Sequence, residues 1–185
     1  IEAFDATGFV PLACAPRWKL LAEVTLPTPS GKIEARSRLW AESGHDTLPP
    51  YTAPGRPATP DQFRVIPGRA ALHTQASTTN NPLLSELAPT NTLWIHTERA
   101  QALGIADGDW VEVCTATGPV GRLRAKVTTG IHPEAVFMLH GFGRKTPQET
   151  RAFGKGVADE ACMISGLEHE DPLGGGLALQ KHFVT

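Results

Sequence analysis

Trp110-Val111-Glu112-Val113-Cys114-Thr115, a Thr117-Gly118-Pro119 turn, and residues 120–128 form the stretch that decides the fold. Apolar and polar residues alternate along both arms, the pattern of half-buried strands, and glycine with proline between them reads as a reversal. The stretch is therefore a β-hairpin. On the second arm Leu123, Ala125 and Val127 alternate with Arg122, Arg124 and Lys126. One face is apolar, and the plainest reading of the cationic face is the wet side of a sheet.

Working outward, Ala135-Val136-Phe137-Met138-Leu139 is an apolar run of strand length, suited to a buried strand. Leu93-Trp94-Ile95-His96 and Phe63-Arg64-Val65-Ile66 read as further strands, the latter ended by Pro67-Gly68, and residues 177–184 alternate well enough for a last one. Two short helices are expected. Asn81-Pro82 starts one that ends at Leu87, with Leu83, Leu84 and Leu87 on one face. Thr97 caps another that runs through Leu103 to a left-handed Gly104. Short strands with few helices indicate a mainly β domain with short helices, closed into a barrel that removes exposed edges. Its core is expected from Val65, Ile66, Leu93, Ile95, Val111, Val113, Leu123, Val127, Val136 and Met138.

This domain is placed at residues 60–185. Residues 1–59 hold half of the 16 prolines, which forbid long helices and central strands, so they read as an extended lead-in with one helix over residues 33–42. The first residues, Ile1-Glu2-Ala3-Phe4-Asp5, suggest a chain entered midstream, a piece of a longer polypeptide. A net charge of −2 argues against nucleic-acid binding by bulk charge, and no apolar run approaches the roughly 20 residues of a membrane span. Cys14, Cys114 and Cys162 are odd in number and far apart, so they read as buried thiols rather than a zinc site or disulfide framework.

Two segments could carry chemistry. Between a strand and a helix, residues 68–81 gather Arg69, His73, Thr74, Gln75, Asn80 and Asn81. Guanidinium, imidazole and amide groups there suit a polar anionic ligand; by spacing alone the same Ser, Thr and Asn residues also read as turn and cap formers. His140-Gly141-Phe142-Gly143-Arg144-Lys145 is a second cradle, with glycines for close backbone approach and two cations for a pyrophosphate. Neither Gly31-Lys32 nor Gly154-Lys155 belongs to a P-loop, and no HExxH or GxSxG is present. No catalytic residue and no metal ligand is assigned.

Taken together, the chain resembles the dimethyl-sulfoxide-reductase superfamily of molybdenum oxidoreductases, most of all its thiosulfate, polysulfide and tetrathionate reductases. The resemblance rests on Thr28-Pro29-Ser30-Gly31-Lys32-Ile33-Glu34, Gly68-Arg69 with His73-Thr74-Gln75 and Asn80-Asn81-Pro82, Leu103-Gly104-Ile105 with Asp107-Gly108-Asp109, Val127-Thr128 with Gly130-Ile131, and His140-Gly141-Phe142-Gly143. It implies the C-terminal domain of such an enzyme, a six-stranded double-psi β-barrel that grips one of two molybdopterin guanine dinucleotides. Molybdenum and an iron–sulfur cluster would be held by domains outside this chain, so the fragment alone is expected to be inactive.

Carried over by position, Arg69, His73, Thr74 and Gln75 resemble a loop touching the pterin and phosphates, with Asn80 and Asn81 lining the same region. His140, Gly141 and Phe142 resemble the second cofactor loop, and Asp159 lies in a segment similar to one that approaches the pterin. Glu160-Ala161 departs from the Asn-containing pattern expected there. The resemblance further implies contact with preceding domains of the same polypeptide, an iron–sulfur electron-transfer subunit, a membrane-anchor subunit, and a periplasmic or exported holoenzyme. Two other readings stand beside it: a free-standing double-psi barrel enzyme, and an interaction module without molybdenum.

Overall fold

Two parallel strand pairs carry the architecture. Strand β1 (Phe63–Gly68) runs parallel to β5 (Ala135–Leu139), and β2 (Thr92–His96) runs parallel to β4 (Gly118–Thr128). β2 and β5 pair antiparallel and join the two halves, β3 (Trp110–Thr115) forms the hairpin with β4, and β6 (Phe183–Val184) flanks β1. The order is β3-β4-β2-β5-β1-β6. Beyond the two edge strands, Cys114 N donates to Thr185 O (2.8 Å) and Thr185 N to Cys114 O (2.9 Å), so the sheet curls into a nearly closed six-stranded barrel. This is the mainly β barrel with few short helices that the sequence led us to expect.

The computed structural model describes residues 8, 24–48, 51, 53, 55–163, 166, 170, 175–176 and 182–185. They fall into two units, Ile1–Tyr51 and Thr52–Thr185. In the first, Thr28-Pro29-Ser30-Gly31-Lys32 folds into a turn in which Thr28 Oγ1 donates to Lys32 O (2.7 Å) and Ser30 N to Glu34 Oε1 (2.9 Å). That turn delays the expected helix. Helix α1 is only Arg38–Glu42, started by the Ser37 hydroxyl accepting from Trp40 N.

Inside the barrel, Val65, Leu93, Ile95, Val113, Leu123, Val136 and Met138 are buried as expected, with Phe63, Ala125, Val157 and Val184 completing the cluster and Val111 and Val127 packed at its margin. Ile66 is half-buried. It stands between Val65 and Pro67 on a strand of period two, hence on the outer face opposite Phe137. Of residues 177–184, Phe183 and Val184 form β6, whereas 177–181 lie outside the described residues.

Four further local readings need correction. Strand β1 does not stop at Ile66 but runs through Pro67 and Gly68. β6 pairs only with Phe63 and Arg64, so proline's missing N–H faces a side with no ladder to lose. The hairpin reverses one step earlier than its glycine suggests: Thr115 pairs with Gly118, with Ala116 and Thr117 between them. Thr115 Oγ1 stabilises this loop through Thr117 Oγ1 (2.8 Å) and Gly118 O (3.2 Å). Pro119 is tolerated in β4 because its partner Cys114 follows an irregularity and sends its N–H to Thr185.

The helices account for the other two. In α2 (Pro82–Leu87), Asn81 Oδ1 accepts from Leu83 N (3.0 Å) and Leu84 N (3.1 Å), the expected cap. Yet Leu83 and Leu87 are 73% and 70% exposed while Ser85 is the buried residue, so the presumed core face points outward. The helix is tied down by its ends, through the Asn81 cap and through His73 at Ala88 O, rather than by a leucine stripe. α3 (Thr97–Ala102) is capped by the His96 imidazole accepting from Glu98 N, not by Thr97, which is already helical. Gly104 takes its expected left-handed conformation.

The cationic face of β4 is more than a wet surface. Arg124 lies over Trp110 (4.4 Å), Lys126 over Trp94 (4.0 Å), and Trp94 packs on Phe137 with centroids 4.9 Å apart. Buried and exposed apolar side chains should differ, since Met138 is fully buried and Leu83 is exposed. Met138→Ala should cost about 2–5 kcal/mol, and Leu83→Ala should stay within about 0.5 kcal/mol, as measured by urea unfolding. Equal losses would contradict the orientation of α2.

Candidate functional site

Because β1 and β5 are parallel neighbours, with Gly68 opposite Leu139, the segments that follow them leave the barrel at one end. His140 N donates to Gly68 O (2.9 Å), which continues the pairing into the loops. The glycines then let the loops close on one another. Gly141 has φ +99°, and a Cβ there would run into the Gln75–Ala76 peptide; Gly143 has φ +75° and abuts Ala158.

A cleft of about 270 Å³ opens at this junction, lined by Gly68, Arg69, Gln75, His140, Glu160 and Met163 among others. Turning the Gln75 amide to satisfy both groups places Oε1 as acceptor from Arg69 Nε (3.1 Å) and Nη2 (3.2 Å). Gln75 sits at φ +51°, a conformation that costs a non-glycine residue about 1 kcal/mol or more. Across the cleft, His140 Nδ1 lies 3.0 Å from each carboxylate oxygen of Asp159 and 3.6 Å from Glu160 Oε1. Asp159 is wholly buried whereas the imidazole is 31% exposed, so the carboxylate backs the ring and the ring faces the cleft.

With an acceptor at Nδ1, that nitrogen carries the proton, which leaves Nε2 to accept when the ring is neutral and to donate when it is charged. His140, Asp159 and Glu160 bring three potential ligand atoms within 4.8 Å of one another. The 3.0 Å distances from Nδ1 to both Asp159 oxygens make this a hydrogen-bonded imidazole–carboxylate pair. A further cleft of about 210 Å³ adjoins Gly141, Gly143, Lys145, Thr146 and Glu160. A cavity of about 140 Å³ among Phe63, Leu93, Ile95, Val113 and Val136 is mainly aliphatic and distant from these loops; it is a gap in core packing.

The remaining residues singled out in the sequence divide by where their polar atoms go. His73 is buried, with Nε2 at Ala88 O (2.9 Å), Nδ1 at Thr78 Oγ1 (3.3 Å) and its ring edge-on to buried Phe142. Thr74 is exposed and its N–H donates to Thr78 Oγ1. Asn80 Oδ1 accepts from Arg151 N (2.8 Å) and Ala152 N (3.2 Å), and Asn81 caps α2. Arg69, Gln75 and His140 are thus brought together at the cleft, and His73, Asn80, Asn81 and Phe142 form the frame around it. Arg144 differs from the expected phosphate partner. Its Nε and Nη2 each lie 2.7 Å from Glu149, and the hydrogen bonds hold that carboxyl below its ordinary range. Glu149 had no motif to betray it in the sequence.

Residues 63–181 match the family model described as Molydopterin dinucleotide binding domain. The chain belongs to this family. It is 36% identical over 142 residues to the thiosulfate reductase molybdopterin-containing subunit PhsA of Salmonella typhimurium, covering 73% of this chain and 18% of that protein. Over 155 residues it is 28% identical to the acetylene hydratase of Syntrophotalea acetylenica, covering 77% of this chain and 21% of that one. The solved structure of acetylene hydratase from Pelobacter acetylenicus superposes with a TM-score of 0.72 at 23% identity, over 88% of this chain and 24% of that one, a likeness of fold. The chain thus spans about a fifth of the relatives' length.

The donor set suits the family's ligand. A molybdopterin dinucleotide presents phosphate oxygens and amide-like pterin edges, and the clefts of this domain offer a guanidinium, a carboxamide, an imidazole, an ammonium and closely approached backbone. Behind Asp159, Cys162 is buried, and its thiol is pushed up to about 11 by burial and then by the Asp159 charge. An unfolded thiol ionises near 8.5, so between that value and about 11 the unfolded state holds fewer protons and stability falls as pH rises. We expect a loss of about 1–2 kcal/mol through this window, absent in Cys162→Ala. Urea titrations of both proteins from about pH 8 to about pH 10.5 measure it, and parallel curves would refute the assignment.

Proposed function

We propose that this chain is the part of a molybdenum oxidoreductase that closes over one molybdopterin guanine dinucleotide, and that the whole enzyme reduces a sulfur compound such as thiosulfate, polysulfide or tetrathionate. The observation that carries the binding role is the meeting of Arg69, Gln75 and His140 in one cleft. Arg69 supplies a fixed positive charge, and Gln75 orients the guanidinium while keeping an N–H donor for a pterin or base edge. His140 presents Nε2 to the ligand with its other nitrogen held by Asp159. His73, Asn80, Asn81 and Phe142 hold the loop in place, and Thr74 is exposed for contact. The cofactor supplies the redox-active metal, and these residues supply binding, orientation and exclusion of water.

Likeness to a thiosulfate reductase subunit supports the sulfur substrate. Likeness to an acetylene hydratase fits a reading in which substrate choice rests with residues outside this chain. The partners that fit this role are preceding domains of the same polypeptide, which would hold the molybdenum and an iron–sulfur cluster, together with an electron-transfer subunit and a membrane anchor. An exported holoenzyme accords with such an assembly.

In the whole enzyme, Arg69→Ala should weaken cofactor retention by about 10- to 100-fold, the loss of a charge-assisted hydrogen bond, with the barrel's far-UV spectrum unchanged. Pterin and molybdenum content of the purified variant measure it, and wild-type content would remove Arg69 from the site. The 185-residue chain by itself should be folded, bind no molybdenum and reduce no sulfur substrate with reduced viologen as donor. Stoichiometric metal with turnover would overturn the reading of this domain as a cofactor-binding part whose metal is held by other domains.

A further inference from the structure

Asn91 precedes β2 and is 1% exposed, which for a carboxamide demands partners. Nδ2 donates to Leu139 O (3.0 Å) and Val157 O (2.8 Å), and Oδ1 accepts from Val157 N (3.0 Å). Donor and acceptor of one side chain thus satisfy both the C=O and the N–H of Val157, as a neighbouring strand would. The second Nδ2 hydrogen reaches the last residue of β5. Leu139 directly precedes His140, and Val157 lies two residues before Asp159. One buried amide therefore ties together the two backbone segments whose side chains form the His140–Asp159 pair.

The surroundings are shaped for this tie. Gly156 has φ +68°, and a Cβ on it would collide with Asn91 Oδ1, so the backbone approaches the amide as closely as only glycine permits. The Val157 side chain enters the barrel core beside Gly121, where a Cβ would come within 2.7 Å of Val157 Cγ2. Gly143 N donates to Lys155 O (2.8 Å), which secures the segment just before. After Val157 the chain enters a 3-10 turn over Asp159–Cys162 whose Cys162 is buried in the core, so Asp159 is held from the Val157 side by Asn91 and from the other side by Cys162.

We propose that Asn91 is a positioning residue for the cofactor cleft: its amide latches residues 156–158 to the end of β5 and so fixes Asp159 behind His140, which selects the imidazole tautomer offered to the ligand. The consequence for cofactor binding rests on the function proposed above, but the latch itself does not.

The imidazole tautomer of His140, read by long-range nitrogen–proton NMR on the 185-residue chain without ligand, tests the latch. In the wild type the neutral ring should carry its proton on Nδ1. In Asn91→Ala the ring should shift toward the Nε2–H form, as it should in the control Asp159→Asn, and the Val157 amide should exchange about 10- to 100-fold faster while Val65, Ile95 and Met138 keep their protection. Gly156→Ala attacks the same contact from the loop side and should give the same two changes; it decides the question if Asn91→Ala does not fold. A folded variant of either kind that keeps the wild-type tautomer and Val157 protection overturns the proposal. Cofactor content of Asn91→Ala in the whole enzyme is a separate measurement. A broken latch with undiminished cofactor would count against the cleft as cofactor site and leave the positioning role of Asn91 intact.

Discussion

Gly68 and Leu139 stand opposite each other at the ends of two parallel strands, and the site depends on that register. A parallel pair sends both of its following segments out of the same end of the sheet, whereas an antiparallel pair would send them to opposite ends. The polar loop after β1 and the glycine-rich loop after β5 therefore leave side by side, and Asn80 with the Arg151–Ala152 backbone and His73 with Phe142 then join them. His140 N bonds to Gly68 O as the last step of the ladder, and from there the chain can turn only because Gly141 and Gly143 take positive φ with almost no room beside them.

Once the loops have met, most of their polar atoms are used to hold the loops rather than to receive a ligand. Leaving a buried donor or acceptor unpaired costs about 1–3 kcal/mol, so each buried His or Asn must find partners inside the protein. His73 and Asn91, and the half-buried Asn80 with them, do so through backbone groups far away in sequence. The residues left facing the cleft are those whose polar ends remain partly in solvent: Arg69, Gln75, His140 and Glu160. Asp159 belongs to both groups, being buried itself while acting on the cleft through the ring in front of it.

The barrel beneath is held by ordinary means. An apolar core lines its interior around one packing gap, cationic side chains lie on indole rings outside, and the pair of bonds between Cys114 and Thr185 links the two edges. This leaves the loops free to carry strained and glycine-dependent conformations, since the strand ladder and not the loops sustains the fold.

The alternating patterns at residues 110–115 and 120–128 and the apolar run Ala135–Leu139 were enough to read a β barrel, because side-chain period is a local property. The helix start at Asn81-Pro82 and the left-handed Gly104 were legible for the same reason. The outward turn of Leu83 and Leu87, the continuation of β1 through Pro67 and the capping of α3 by His96 were not, since each is settled by which neighbour lies alongside. At the site, residue types in two segments showed that a polar ligand was to be met. Only the tertiary structure decided that Arg69, Gln75 and His140 face the cleft, that Arg144 is committed to Glu149, and that Asn91, with no motif around it, joins the loops. Composition fixes how many donors a segment owns, but whether a donor is free depends on partners that folding brings from dozens of residues away.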